Sequence, residues 1–364
     1  MERSLKFIMR SLIPLFEPSC SELEIKYVNE VLRSKWWGLG RKTEEFERKF
    51  AEYVGAKYAV GVNSATAALD LALKAHDIKD GEIIVPALTF VSTALVALYN
   101  NCKVIFADID EETLCIDWKD VEKKVTNKTK AIIPVHYGGK DSRLSYAIKK
   151  HGIIVIEDCA HATGNKLVGQ NTSCWSFHAV KNLATGDGGM ITTNDEEVYK
   201  KLIPLRWCGI DKSTFERTEK KYGWNYDIQT VGYKYHMNDI TAAIGLAQLE
   251  RIDELNNKRK LRVLQYLYEL QHLNWLKLPK YDANSSWHLF VIRMESRDRF
   301  IDYMLAHGVS VGVHYKPLNT YKIFPQTKLP VTDRVWKTLA TLPLFPDMTD
   351  EEFSHIIKTI KEYK

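Results

Sequence analysis

The chain lacks the sequence features that mark membrane, secreted and metal-binding proteins. No apolar run is long enough to cross a bilayer, and the first residues, MERSLKFIMRSLIPLF, lack the continuous apolar stretch and the small-residue cleavage site of a signal peptide. The six cysteines form no CxxC pair and have no histidine at zinc-ligand spacing. We therefore expect a cytoplasmic protein with reduced thiols and with neither disulfides nor a metal site.

Long runs of like charge are also missing. The chain has 51 Lys and Arg against 46 Asp and Glu, and its net charge of +5 is spread along the sequence. This balance argues against binding to nucleic acid, although it suits an anionic substrate. The 364 residues are 45% apolar and 27% charged, which is ordinary for a globular protein and enough for a large and a small domain.

Short apolar runs alternate with helical patterns through the first two thirds of the sequence. We expect strands at residues 58–62, 82–86, 104–107, 131–135, 152–156, 175–178 and 190–193. The helical patterns lie at residues 22–35, 42–53, 65–74, 92–99 and 144–151. Because these runs are apolar on both faces and helices separate them, they predict a mainly parallel α/β sheet that is covered on both sides.

The last third of the sequence changes character. A long helical pattern over residues 240–270 leads to predicted strands at 287–293 and 309–314 and to predicted helices at 298–307 and 350–363. We expect three parts: an N-terminal arm over residues 1–20, a large domain over 21–254 and a small C-terminal α+β domain over 255–364.

Polar segments follow two of the predicted strands, where open α/β sheets place their ligands. Ser64, Ala65 and Thr66 end a strand and open a helix, so their N–H groups and hydroxyls can hold an anion; a simple helix cap is the alternative. Asp158 ends an apolar strand, and a buried acid there needs a positive partner. A protonated ring nitrogen would serve, and a structural ion pair is the alternative.

A third segment, Ser176-Phe177-His178-Ala179-Val180-Lys181, ends in a lysine before a glycine-rich turn. Desolvation beside another cation would lower the pKa of Lys181 and expose the free amine that imine formation needs. A solvated surface lysine is the alternative. The turn Gly186–Gly189 precedes a strand rather than a helix, which argues against a dinucleotide loop.

The three segments lie within longer stretches that carry a family resemblance. These stretches are GVNSATAALDLAL, VPALTFVST, IEDCAHATG, SFHAVKNLATGDGGMITTND, GYKYHMNDITAAIGLAQLE and GVHYKPL. They resemble the DegT-type nucleotide-sugar aminotransferases, which are pyridoxal-phosphate enzymes with the fold type I architecture of aspartate aminotransferase. The resemblance runs from IPLFEPS near the start to LPLFPDMTDEE near the end.

The resemblance implies a role for each site residue. Lys181 would form the Schiff base with pyridoxal 5'-phosphate and move protons, and Asp158 would pair with the ring nitrogen. His161 would lie near the phenolic oxygen of the ring, at a position where many relatives carry Gln. Phe90 would stack on the ring. The residues implied to hold the phosphate are Ser64, Ala65, Thr66 and Ser176.

The resemblance also implies a homodimer with composite active sites. Lys234 lies where many relatives place an Asn that reaches the phosphate of the neighbouring subunit. In the small domain, His314 and Tyr315 would approach the substrate, and Trp37 and Gly38 would belong to the same cleft.

The implied reaction moves an amino group from L-glutamate to a nucleotide-linked keto-sugar. Family frequency favours a 4-keto-6-deoxyhexose linked to UDP or dTDP, which would give an amino sugar for glycan biosynthesis. A 3-keto-sugar substrate, a pyridoxal-phosphate-dependent sugar dehydratase and a non-catalytic regulator remain alternatives. Dehydratases of this type carry His where Lys181 lies, and a regulator would need neither Lys181 nor Asp158, so transamination is favoured.

Overall fold

The fold is that of a computed structural model, which describes residues 12–143, 152–210 and 222–363. The helix predicted at residues 144–151 lies outside the described residues, as does the first part of the predicted N-terminal arm. Among the helices within these three ranges, none is both long and apolar enough to cross a membrane.

The centre of the molecule is a seven-stranded sheet with the spatial order β1-β7-β6-β5-β4-β2-β3. Its strands are β1 (Tyr58–Val62), β2 (Glu82–Pro86), β3 (Lys103–Ala107), β4 (Thr129–Ile132), β5 (Ile154–Asp158), β6 (Thr172–Ser176) and β7 (Gly189–Thr193). The strands from β3 across to β6 are parallel, whereas β7 is antiparallel to both β6 and β1. The predicted mainly parallel α/β class is therefore confirmed.

Helices of this part of the chain pack around the sheet. They are α1 (Glu22–Ser34), α2 (Arg41–Val54), α3 (Ala65–Ala75), α4 (Ser92–Tyr99), α5 (Trp118–Lys124) and α6 (Glu196–Arg206). α3 is buried along its length, and Leu69, Leu71 and Leu73 are each at most 1% exposed. Burial of each such side chain contributes about 1.5–3 kcal/mol, so the start of α3 is firmly fixed at the edge of the sheet.

The rest of the chain adds a long helix and a second, two-stranded sheet. These elements are α7 (Asp239–Leu270), β8 (Phe290–Arg293), α8 (Arg297–Ala306), α9 (Pro330–Val335), β9 (Leu339–Leu342) and α10 (Asp350–Glu362). β8 and β9 are antiparallel, and α7, α8 and α10 supply Tyr266, Phe300 and Ile356 to a separate apolar core. Since α7 is continuous through residue 254, the division into domains at that point stays a prediction.

Several predicted strands of the large sheet are shifted by one to three residues at an end, and both strands predicted in the last third of the sequence differ more from the structure. The strand predicted at residues 309–314 is wrong, because Val309 and Gly312 form only isolated bridges, to Ile13 and Thr341 respectively. With no single neighbour alongside, the segment cannot form a ladder. The strand predicted at residues 287–293 begins only at Phe290, since Trp287 has a φ of 47°, which is incompatible with an extended strand.

The described part of the N-terminal arm crosses to the C-terminal part of the chain. The Ile13 N–H donates to the Gly308 carbonyl at 2.8 Å, and the Ser310 N–H donates to the Ile13 carbonyl at 3.0 Å. Two residues further on, the Leu344 N–H donates to the Leu15 carbonyl at 3.2 Å. These bonds place Phe16 between the part of the chain that forms the large sheet and the C-terminal part.

Candidate active site

A cavity of about 440 Å³ opens at the edge of the large sheet where β5 and β6 end and β7 begins. Open α/β sheets bind their ligands at this edge. The predicted site residues that line it are Ser64, Ala65, Thr66, Phe90, Asp158, His161, Ser176, Lys181, His314 and Tyr315. The fold thus brings together residues from distant parts of the sequence.

Lys181 lies in the loop between β6 and β7, where its N–H donates to the His178 carbonyl at 2.8 Å. Burial lowers the pKa of Lys181 to about 8, although the nearby Asp158 acts in the opposite direction. The sequence analysis expected a second cation beside Lys181, but no such cation contributes to this shift. Burial therefore accounts for the lowered pKa of Lys181. An appreciable fraction of the amine is therefore unprotonated, and nucleophilic, near neutral pH.

Asp158 is the last residue of β5 and is 5% exposed. Burial raises the pKa of Asp158 above its ordinary value, against opposing effects of hydrogen bonds and of Lys181. The Thr93 hydroxyl donates to Oδ2 at 2.8 Å and the Ala160 N–H donates to Oδ1 at 3.1 Å. The carboxylate retains acceptor capacity for a cation or N–H donor in the cavity.

Thr93 is a site residue that the sequence analysis missed. Its hydroxyl is 2.9 Å from that of Thr89, and both residues line the cavity behind Asp158. Thr93 lies 65 positions before Asp158, and a threonine near a helix start carries no signal for such a distant partner. Only the packing of α4 against the sheet brings the two side chains together.

The start of α3 provides the predicted anion pocket. The Ser64 hydroxyl accepts from the Ala67 N–H at 3.1 Å, so it acts as a helix cap. The N–H groups of Ala65 and Thr66 precede the first intrahelical bonds and lie at the positive end of the helix dipole. The Thr66 hydroxyl is 2.6 Å from that of Ser92, a residue that the sequence analysis also missed.

A glycine lets β7 approach this turn closely. A Cβ atom at Gly189 would lie 2.6 Å from the Ser64 carbonyl carbon and 2.8 Å from the Ala65 nitrogen. Side-chain carbons do not approach backbone atoms so closely, so any larger residue would displace the turn. Gly188, next to it, lines the cavity.

Aromatic and imidazole rings form the rest of the cavity wall. Phe90 is 57% exposed and its ring lies 6.2 Å from that of Tyr315, so it borders the cavity rather than the core. Phe16, which the sequence analysis missed, stacks on His288 at 5.4 Å and meets the edge of His314 at 5.6 Å. Burial lowers the pKa of His314 to about 4, with a further contribution from Lys181.

Three predicted site residues do not line the cavity of their own chain. Lys234 is exposed, and its ammonium lies 3.4 Å from the ring centre of Trp207. Trp37 is 53% exposed and its indole N–H donates to the Leu32 carbonyl at 3.3 Å. Gly38 accepts from the Asp239 N–H at 2.9 Å, next to the start of α7.

A buried group beside the cavity has the residue types of a metal site. His136, Glu157 and Cys159 offer ligand atoms within 4.8 Å of one another. Glu157, however, accepts from the His136 ring at 2.9 Å and from the Gly169 N–H at 2.9 Å. Burial would raise the pKa of Glu157, but these bonds lower it to about 2, so His136 already supplies a partner for the carboxylate.

Comparison with known proteins shows which protein family this chain belongs to. The model of the DegT/DnrJ/EryC1/StrS aminotransferase family matches residues 18–361. The chain belongs to this family. The protein is therefore a pyridoxal-phosphate-dependent sugar aminotransferase with the type I fold.

Relatives match along almost the whole chain. The spore coat polysaccharide biosynthesis protein SpsC of Bacillus subtilis is 36% identical over 376 residues, covering 96% of this chain and 96% of SpsC. Helicobacter pylori PseC, an aminotransferase involved in the biosynthesis of pseudoaminic acid, is 29% identical with a TM-score of 0.90, covering 96% of this chain and 98% of PseC. The pyridoxal-phosphate form of Spr1654 from Streptococcus pneumoniae, assigned as a sugar aminotransferase, is 31% identical with a TM-score of 0.87, covering 96% and 98%.

The residues at the cavity fit this cofactor. Lys181 offers a partly neutral amine, Asp158 offers a buried carboxylate for a protonated ring nitrogen, and the start of α3 offers N–H groups for a phosphate. Gly189 leaves the space that the turn at Ser64 needs. The donor set therefore matches the amine-reactive, cationic and anionic parts of pyridoxal phosphate.

Proposed function

We propose that this sugar aminotransferase moves an amino group from L-glutamate to a nucleotide-linked keto-sugar, a 4-keto-6-deoxyhexose linked to UDP or dTDP. The product would be an amino-deoxy sugar for glycan biosynthesis. The observation that carries the reaction type is the partly neutral Lys181 amine, which shares one cavity with the buried carboxylate of Asp158.

The side chains of the cavity divide the work of the reaction. Bound pyridoxal phosphate supplies the electron sink that stabilises negative charge at the reacting carbon. We assign the covalent attachment and the proton transfers to Lys181, whose pKa of about 8 suits a group that both takes and gives protons near neutral pH. Asp158 would hold a proton on the ring nitrogen, and Thr93 keeps the carboxylate oriented.

The phosphate and the ring have separate candidate contacts. The N–H groups at the start of α3, with Thr66 and Ser176, would hold the phosphate. The exposed ring of Phe90 would cover one face of the cofactor. His314 and Tyr315, which also line the cavity, would face the substrate.

The substrate class is supported by the named relatives. SpsC is a spore coat polysaccharide biosynthesis protein and PseC is involved in pseudoaminic acid biosynthesis, which agrees with an amino sugar destined for a glycan. A UDP- or dTDP-linked sugar carries a negatively charged diphosphate, and the net charge of +5 suits such an anionic substrate.

A homodimer would complete the site. Among the described lining residues Lys181 is the single lysine and none is arginine, while burial keeps the imidazoles of His161 and His314 neutral. The two carboxylates of glutamate therefore need cations from outside the cavity wall of one chain. We propose that a second copy supplies them, with Lys234 reaching the cofactor phosphate of its partner. We also propose a cytoplasmic location, where glutamate and nucleotide sugars are available.

The experiment is a panel of UDP- and dTDP-linked 4-keto- and 3-keto-sugars, each incubated with the enzyme and L-glutamate. Formation of 2-oxoglutarate with an equal amount of amino sugar would support transamination, and NMR of the product would locate the amine. Loss of the sugar hydroxyl without consumption of glutamate would show a dehydratase instead. Bleaching of the visible absorbance by glutamate separates an enzyme from a regulator that only binds the cofactor.

A further inference from the structure

The hydrogen bonds of His161 fix which of its nitrogens carries the proton. His161 is 4% exposed, and burial together with Lys181 and His314 holds the pKa of its imidazole well below the usual range, so the ring is neutral. Its Nδ1 lies 3.3 Å from the backbone nitrogen of Gly138, which can only donate. Nδ1 is therefore the acceptor, and the proton of the neutral ring is on Nε2.

This tautomer sets the direction of the next hydrogen bond. Nε2 of His161 lies 3.0 Å from the hydroxyl oxygen of Tyr315. Because Nε2 carries a proton, the imidazole donates and the tyrosine oxygen accepts. The hydroxyl proton of Tyr315 is then left for another acceptor, and the described residues provide none. Tyr315 lines the same cavity as Lys181 and Asp158, so its proton is available to what binds there.

One short turn holds both ends of this arrangement. Gly138 lies in the 3₁₀ turn Tyr137–Gly139, and the hydroxyl of Tyr137 donates to the carbonyl of His314, which precedes Tyr315 in the chain. The turn therefore fixes the imidazole of His161 through Gly138 and the backbone before Tyr315 through Tyr137.

The charged and titratable groups around the pair keep the hydroxyl protonated. Burial raises the pKa of Tyr315, and the carboxylate of Asp158 raises it further. Lys181 and the neutral rings of His288 and His314 complete the surroundings. Tyr315 is thus a hydrogen-bond donor throughout the range in which Lys181 titrates.

We propose that Tyr315 donates the hydrogen bond to an oxygen of the cavity occupant, and that His161 is the positioning residue that directs it. The acceptor is either the phenolic oxygen of the cofactor ring or the carbonyl oxygen of the sugar. If the acceptor is the phenolic oxygen, then Tyr315, rather than His161, makes the contact that the family resemblance implied for His161. This inference rests on the cofactor site and not on which sugar or amino donor is used.

The first test is Tyr315→Phe in the holoenzyme without substrate, followed by a pH titration of the visible absorbance of the cofactor. Removal of a donor leaves more negative charge on the ring oxygen, beside the Lys181 nitrogen that the cofactor binds. The protonated form of that nitrogen is favoured, so the pH midpoint should rise by about one unit if the cofactor is the acceptor.

A sugar acceptor gives a different result. The absorbance midpoint then stays in place, while kcat/KM for the keto-sugar falls about tenfold or more and the half-reaction with the amino donor is unchanged. The matched control is Tyr266→Phe, which removes a buried tyrosine hydroxyl bonded to the Pro343 carbonyl, outside the cavity. If Tyr315→Phe behaves like this control in both measurements, the proposal is overturned, whatever sugar the enzyme uses.

The second test asks whether His161 acts through Tyr315. His161→Leu removes the donor to Tyr315 and should change the same midpoint or rate as Tyr315→Phe, whereas His161→Gln, which keeps an N–H donor, should restore most of the wild-type value. In the Tyr315→Phe background, His161→Leu should add little. Additive effects would show that His161 acts independently and would overturn its role as a positioning residue. Should His161→Leu not fold, His161→Ala, which also lacks a donor, gives the same comparison.

Discussion

At the scale of single residues, the function depends on one lysine. We expect Lys181→Ala to abolish turnover while the fold is kept, since the variant loses both the covalent attachment and the proton transfer, and the latter alone contributes about a hundredfold. Borohydride should fix the cofactor onto the wild type but not onto this variant. Lys166→Ala is the control, because burial also lowers the pKa of Lys166, which lies outside the cavity over the Tyr53 ring. Labelling of another lysine in the wild type would contradict the assignment.

The pH dependence of cofactor capture follows from the pKa of Lys181. The free amine is the attacking form, so the rate at which apoenzyme captures pyridoxal phosphate should rise with pH through a midpoint of about 8. A free lysine amine, with a pKa of about 10.4, provides the control midpoint. Because the carboxylate of Asp158 raises the pKa of Lys181, the midpoint in Asp158→Asn should move to lower pH. A midpoint near that of free lysine would mean that burial does not tune the amine.

The site residues also show the reach of sequence reasoning. Lys181, Asp158 and the turn at Ser64 were predicted to lie near one another because each lies at the end of a strand, and the structure brings them to one cavity. Thr93 and Phe16 could not be predicted. Their partners lie far away in the sequence, and neither a threonine near a helix start nor an aromatic residue in an N-terminal arm indicates a site by itself.

At the scale of elements, the close contact between β7 and the start of α3 gives a further prediction. In Gly189→Ala the new methyl group would lie 2.7 Å from the Ser64 carbonyl oxygen, so the turn must move and its N–H groups with it. We expect the affinity for pyridoxal phosphate to fall at least about tenfold, measured by titration of the apoenzyme.

The control for Gly189→Ala is a variant that loses stability at a helix start far from the cavity. Ser21→Ala removes the cap of α1, where the hydroxyl accepts from the Leu23 N–H, at a cost of about 1 kcal/mol. It should lower the melting temperature without changing cofactor affinity. Unchanged affinity in Gly189→Ala would show that the turn does not hold the phosphate.

Elements were predictable where the local pattern agrees with the final packing. β1 and β2 have the predicted bounds, because each is a short apolar run that ends at a polar or turn residue. α5, α6, α9 and β9 were not predicted. β9, with the sequence LATL, lies inside a longer apolar segment, and only its pairing with β8 determines where the strand begins and ends.

At the scale of the whole molecule, the central question is whether each active site needs two chains. Lys234 does not line the cavity of its own chain, and its exposed ammonium lies over Trp207. In the proposed dimer it would instead donate to the phosphate of the partner's cofactor, a charge-assisted hydrogen bond. Lys234→Ala should therefore weaken cofactor retention more than the chemical step, measured as a higher Kd for the cofactor.

Mixing two impaired variants tests this arrangement directly. In a dimer of Lys181→Ala with Lys234→Ala, one site takes Lys181 from the second chain and Lys234 from the first, so it has the full wild-type set. The other site carries both defects. Half of the dimers are mixed after random exchange, so activity at low cofactor concentration should recover to about a quarter of all sites. As a control, each variant is taken through the same exchange procedure alone. Confirmed subunit exchange without recovered activity would place Lys234 outside the partner's site.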